Sequence, residues 1–148
     1  MPTVLATPVA RRWLGAAALA GAPVLVAACR DATTSPYDLA GTYALAAVAN
    51  RGLPYTSSDG PYTYVTTDGT LYLNADRTYR VEVNARQIDT RTNLGQSVTD
   101  VGTGTYTLSG SQLTVYPDAS SDAAFSQTTT GTASGSTVTI DVFTFVRR

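Results

Sequence analysis

From Tyr79 to Arg86 the chain alternates one residue at a time. Tyr79, Val81, Val83 and Ala85 are apolar, and Arg80, Glu82, Asn84 and Arg86 are polar. A two-residue period belongs to a β-strand, whose successive side chains leave opposite faces. Such a strand buries one face and wets the other, as in an antiparallel sheet. Leu71 and Leu73 alternate in the same way with Thr70, Tyr72 and Asn74, and Tyr106 and Leu108 are natural partners for Leu113 and Val115. At about 25 cal/mol per Å² of apolar area, these inward sets are the main favourable term in folding. No window past the N-terminal segment shows helical spacing with caps, and Thr, Tyr and Val dominate from Leu39 onward. The expectation is an all-β domain.

Turn residues divide this stretch. Asp68-Gly69 separates YTYVTT from TLYLN, and Asp-Gly favours tight hairpins because both residues tolerate positive φ. Asn74 to Arg77, Ser109-Gly110-Ser111 and Ser134-Gly135-Ser136 mark further breaks. Eight strands are predicted, near 41–49, 61–67, 69–74, 78–88, 98–108, 112–117, 123–132 and 137–146. Short links between neighbours imply an antiparallel meander. Eight strands in an open sheet would leave two raw edges, and closure is the simplest way to remove them. The segments around Ser109-Gly110-Ser111 and Ser134-Gly135-Ser136 echo each other, which reads as two hairpins solving one turn problem.

The N-terminus has a different character. Arg11 and Arg12 precede Trp13 to Ala28, an uncharged run that ends in Ala27-Ala28-Cys29. A basic segment, an apolar segment and small residues before a cut is the secretory signal layout. The run falls short of the about 20 apolar residues of a bilayer span, and Gly15, Gly21 and Pro23 interrupt it. Val26-Ala27-Ala28-Cys29 resembles the lipobox of bacterial lipoproteins, with Val26 where leucine is commoner. The resemblance implies diacylglycerol on the Cys29 sulfur and cleavage just before it. Two or more acyl chains anchor a protein stably. An ordinary signal peptide with a coincidental cysteine is the plainer alternative. Arg11-Arg12-Trp13-Leu14 faintly resembles a twin-arginine signal, which leaves the export route open. In the lipoprotein class an Asp directly after the cysteine tends to retain a protein in the inner membrane. Arg30 holds that place here, so the outer membrane, facing the periplasm, is expected. The organisation read from the chain is a signal peptide at 1–28, a lipidated Cys29 with a polar tether at 29–38, and one domain at 39–148.

Composition narrows the chemistry. The chain has no histidine, and all ten basic residues are arginine. That removes the usual general base, the usual zinc ligand, any Ser-His-Asp triad and any Ser-Lys pair. No basic patch suggests nucleic acid. Cys29 is the single cysteine, so the domain folds without disulfides even if exported. No cofactor or metal is expected, and a non-enzymatic role follows. Asp118 and Asp122 in PDASSD are two carboxylates that could seat calcium or work as an acid/base pair. Their spacing matches no EF-hand, and a solvated loop is the expected reading. Thr128, Thr129 and Thr130 lack a base to activate them.

Ala40-Gly41-Thr42-Tyr43 opens the first strand, and Phe143-Thr144-Phe145-Val146-Arg147-Arg148 ends the last. With a meander between them, the domain resembles the small lipocalin-like domains of bacterial lipoproteins. Lipocalins open with Gly-x-Trp, and a late arginine packs on the indole. Gly41 matches, Tyr43 stands for the Trp, and Arg147 or Arg148 supplies the cation. The resemblance implies an eight-stranded up-and-down barrel, closed through Gly41, Tyr43 and Arg147. Such barrels either fill with side chains or hold one small ligand.

Tyr43, Tyr72, Tyr79 and Tyr106, with Tyr116 beside them, are the candidate lining of a pocket for a small apolar ligand. Ordinary strand packing explains the same residues. Tyr55, Tyr62 and Tyr64 fall in a loop, LPYTSSDGPYTY, that is either a lid over the barrel mouth or a surface excursion. The expected function is a membrane-anchored binder of a small apolar ligand, and the alternative is a structural, interaction or inhibitor module of the envelope with a filled barrel.

Overall fold

The computed structural model describes residues 39–148. Cys29, the signal segment at 1–28 and the tether at 29–38 lie outside the described residues. Among the described residues ten strands are present: β1 (Gly41–Val48), β2 (Arg51–Gly52), β3 (Tyr55–Asp59), β4 (Tyr62–Leu73), β5 (Thr78–Asp89), β6 (Gly95–Ser109), β7 (Gln112–Pro117), β8 (Thr129–Ser134), β9 (Thr137–Ile140) and β10 (Phe143–Arg147). β4 to β10 pair antiparallel in sequence, β10 returns to β1, and β1 pairs with β4 from Gly41↔Leu73 to Ala44↔Thr70. The result is a closed antiparallel barrel of eight strands, as expected.

The seam is closed at one end only. After Ala44, β1 leaves β4, and Ala47 and Val48 pair instead with β2. The first half of β4 continues with β3 on one side and β5 on the other. β6 runs beside β5 up to Gly95. A four-stranded extension, β3-β4-β5-β6, therefore projects from one rim.

Three expected boundaries are corrected. The segments 61–67 and 69–74 form one strand, β4, and Asp68-Gly69 is a register irregularity within it, not a hairpin turn. Both flanking runs face a single long partner, β5. Asn84 Nδ2 donates to Asp68 Oδ1 at 2.6 Å, and a Cβ on Gly69 would stand 2.8 Å from the Glu82 carbonyl oxygen and 3.2 Å from Leu45. Here Asp-Gly serves a bulge and a close approach. The expected strand 137–146 is two strands, β9 and β10, turned at Asp141-Val142, with Asp141 at φ 51°. The expected strand 123–132 begins only at Thr129, after a 3-10 turn at Ala123–Phe125. The turns at Gly110 and Gly135 stand as expected, with φ of 59° and 57°.

The alternation read in β5 is the burial pattern. Tyr79, Val81 and Val83 are buried, while Arg80 and Arg86 are exposed. The core also takes Leu45, Leu71, Leu73, Leu113, Val138 and Phe145. Among the described residues no buried side-chain polar atom lacks a hydrogen-bond partner.

Candidate functional site

The closed end of the barrel is plugged by tyrosines. Tyr43 is fully buried, and its hydroxyl donates to the Leu39 carbonyl at 2.7 Å. Arg147 stands over the ring, with Cζ 5.3 Å from its centroid, and donates to the same hydroxyl at 2.9 Å. The Gly41, Tyr43 and Arg147 set thus sits together at the seam; the Arg147 side chain lies 3.5 Å from where a Gly41 Cβ would be. Tyr106 is buried beside this plug and donates to the Asn74 carbonyl at 2.8 Å. Burial raises the pKa values of Tyr106 and Tyr79.

The other end is capped by the segment 118–128. Asp122 accepts from Val101 N–H at 2.6 Å, Ser121 Oγ accepts from Thr103 N–H at 3.0 Å, and Asp118 N–H donates to Thr103 O at 2.9 Å. These bonds lay the segment along β6 beyond the end of β7. They also hold the 3-10 turn, which turns Phe125 inward. Phe125 packs against Phe143 with centroids 5.6 Å apart. It fits over Gly102, where a Cβ would approach the Phe125 Cβ to 2.6 Å. Beneath it remains a cavity of about 30 Å³ lined by residues including Tyr79, Val115, Ile140 and Phe145. That is space for one or two waters.

Of the expected pocket residues, only Tyr79 lines this cavity. Tyr43 and Tyr106 are part of the plug. Tyr72 is corrected: it lies on the outer face of β4 and is 37% exposed, because Leu71 and Leu73 take the inward positions. Tyr116 likewise faces out. Asp118 and Asp122 serve the cap, each accepting a hydrogen bond from the β6 stretch 101–103. Hydrogen bonds from Ser120 and Thr103 lower the Asp118 pKa. Among the described residues no group of three or more His, Cys, Asp or Glu could hold a metal ion.

The sequence reading missed the groove on the extension. LPYTSSDGPYTY is neither lid nor loop; it forms β3 and the start of β4, turned at Gly60. Tyr62, Tyr64, Gln87 and Gln96 share the face that continues the barrel interior. Tyr62 and Tyr64 meet edge to face at 6.5 Å. Gln87 Nε2 donates to the Tyr64 hydroxyl at 3.0 Å, and Gln96 Nε2 donates to Gln87 Oε1 at 2.8 Å. Tyr62, Gln87 and Gln96, with Asp89, Thr92, Leu94 and Gly95, border an open groove of about 440 Å³, and Tyr64 braces Tyr62 and Gln87. The signal that could have found it is alternation within Tyr62-Thr63-Tyr64 set against Gln87-Ile88-Asp89.

No protein-family model, no curated protein and no solved structure matches the chain.

Proposed function

We propose that this chain is an exported lipoprotein, held to the outer membrane through acylated Cys29. Its lipocalin-like barrel serves as a filled scaffold that presents the β3-β6 extension to a partner in the envelope. The observation that carries the scaffold reading is the cavity of about 30 Å³ under Phe125. Ligand pockets span roughly 300–1,000 Å³, so an apolar ligand inside this barrel would have to displace the cap. The anchor reading rests on the order of Arg11-Arg12, the uncharged run and Val26-Ala27-Ala28-Cys29. The lack of histidine and lysine favours a non-enzymatic role.

Native mass spectrometry of the protein purified from its own envelope tests the scaffold. The expected spectrum is the acylated protein without further small-molecule mass; a co-purifying apolar ligand would restore the binding reading. Cys29→Ala is expected to move the protein from the membrane to the soluble fraction. Unchanged fractionation would defeat the anchor.

A further inference from the structure

We infer that the groove on the inner face of the extension binds a carbohydrate through Tyr62, Gln87 and Gln96, with Tyr64 bracing them. The inference rests on the extension being the working surface of the filled barrel.

Three features of the groove point to that ligand class. The first is directional hydrogen bonding. Gln96 donates to Gln87, and Gln87 donates to Tyr64. Each amide nitrogen carries a second N–H, the Tyr64 hydroxyl keeps its own proton, and Gln96 Oε1 keeps its lone pairs. The chain therefore holds donors and an acceptor side by side in a fixed order. Neighbouring sugar hydroxyls, each both donor and acceptor, match such a row. A ligand with only one kind of group matches half of it.

The second feature is the aromatic surface. Tyr62 is 37% exposed and is braced edge to face by Tyr64. A rigid ring offers contact area to the C–H face of a sugar at low entropy cost, while its hydroxyl stays wet. Leu94, 73% exposed at the hairpin tip, borders the same groove.

The third feature is charge. Asp89 borders the groove and Asp59 pairs with Tyr62 beside it, while Arg86 occupies the alternate face of β5 and Arg91 lies in the turn that follows Asp89. An anionic ligand such as a nucleotide or phosphate finds carboxylates here. A neutral polyol does not meet that repulsion. On the other side of the extension, Asp68, Asn84 and Thr99 border a groove of about 430 Å³ with no aromatic residue, and their polar atoms are bonded to one another.

The test is an amide and side-chain NMR titration of the full chain in a sugar-free detergent, with cellotriose, maltotriose and triacetylchitotriose as probes and oligoproline as the competing ligand. At least one sugar is expected to give saturable millimolar shifts at Tyr62, Gln87 and Gln96. Tyr62→Ala and Gln96→Ala are each expected to weaken binding about tenfold while the remaining spectrum stays in place. Gln96 is exposed, so its variant decides the matter even if Tyr62→Ala perturbs the strand. No saturable shift with any sugar, saturation by oligoproline instead, or unaltered affinity in the Gln96 variant would overturn the inference and leave the scaffold reading standing. Sugar-dependent shifts centred on Tyr79, Val115 and Phe125 would overturn both.

Discussion

The guanidinium of Arg147, near the end of the last strand, stands 5.3 Å from the ring centroid of Tyr43 in the first strand and donates to its hydroxyl at 2.9 Å. The same guanidinium donates to the Ala40 carbonyl at 3.3 Å. One side chain thus ties the last strand to the start of the first and to the buried plug.

Breaking this contact should weaken the fold measurably. Arg147→Ala is expected to cost about 1–2 kcal/mol, the combined scale of a cation over an aromatic face and a charge-assisted hydrogen bond. Tyr43→Phe should cost about 1 kcal/mol by leaving the Leu39 carbonyl short of a donor. Urea denaturation of both single variants and the double variant checks the coupling. Additivity within about 0.3 kcal/mol would show that the two side chains do not act together.

Gly102 and Phe125 should be coupled more strongly. Gly102→Ala is expected to lose roughly 1–3 kcal/mol, because the added methyl collides with Phe125. In a Phe125→Gly background, which removes the Cβ that stands 2.6 Å away, the same change should cost less, with Val81 Cγ1 at 2.9 Å the remaining close approach. Equal losses in both backgrounds, read by thermal unfolding, would mean that Phe125 does not sit in the barrel mouth.

Tyr72 and Tyr106 differ as outer and inner positions should. Tyr106→Ala is expected to cost about 3–5 kcal/mol, and Tyr72→Ala no more than about 0.5 kcal/mol. Comparable denaturation midpoints for the two variants would contradict the register of β4 and β6.

The acid response has a definite sign. Asp100 is partly buried, and desolvation, followed by the nearby Asp122 charge, raises its pKa. Its ionisation therefore opposes the fold. This cost is absent below the ordinary value of 3.8 and is fully present once pH has risen through the elevated folded value. Asp100→Asn should melt higher than the parent at pH ~7, with the difference vanishing below pH ~3.8. Asp118, whose pKa is lowered by Ser120 and Thr103, works the other way: Asp118→Asn should melt lower at neutral pH, and this difference too should close in acid. Melting curves from pH ~7 to well below ~3.8 decide both, because the Asp118 difference closes only as pH falls beneath the ordinary value.

The sequence held the architecture more securely than its joints. The count of eight barrel strands emerged because two errors offset each other. Asp68-Gly69 carries a turn signal inside what is one strand, and Asp141-Val142 carries none although it turns two. The chain contains a second Asp-Gly, Asp59-Gly60, which does turn a hairpin between β3 and β4. Pro61 after Gly60 is a local turn mark that Gly69, followed by Thr70, lacks. Asp68-Gly69 stays within one strand because β5 is long enough to pair with both halves of β4, from Leu73↔Tyr79 to Tyr62↔Asp89. Asp141-Val142 lacks the usual glycine or asparagine, and its turn is imposed by Phe143 pairing back on Ile140. Buried plug and exposed groove tyrosines look alike in sequence. Burial depends on which end of the barrel each one reaches, a long-range property.

Because β1 and β10 are neighbours in the ring, Arg148 N–H reaches the Thr42 carbonyl at 3.0 Å, so the beginning and end of the domain lie side by side. The strand cycle has no privileged starting point. A circular permutant that splices residue 148 to residue 39 through a short linker and starts at the Asn93 hairpin tip would keep every barrel pairing, with new termini on the far rim.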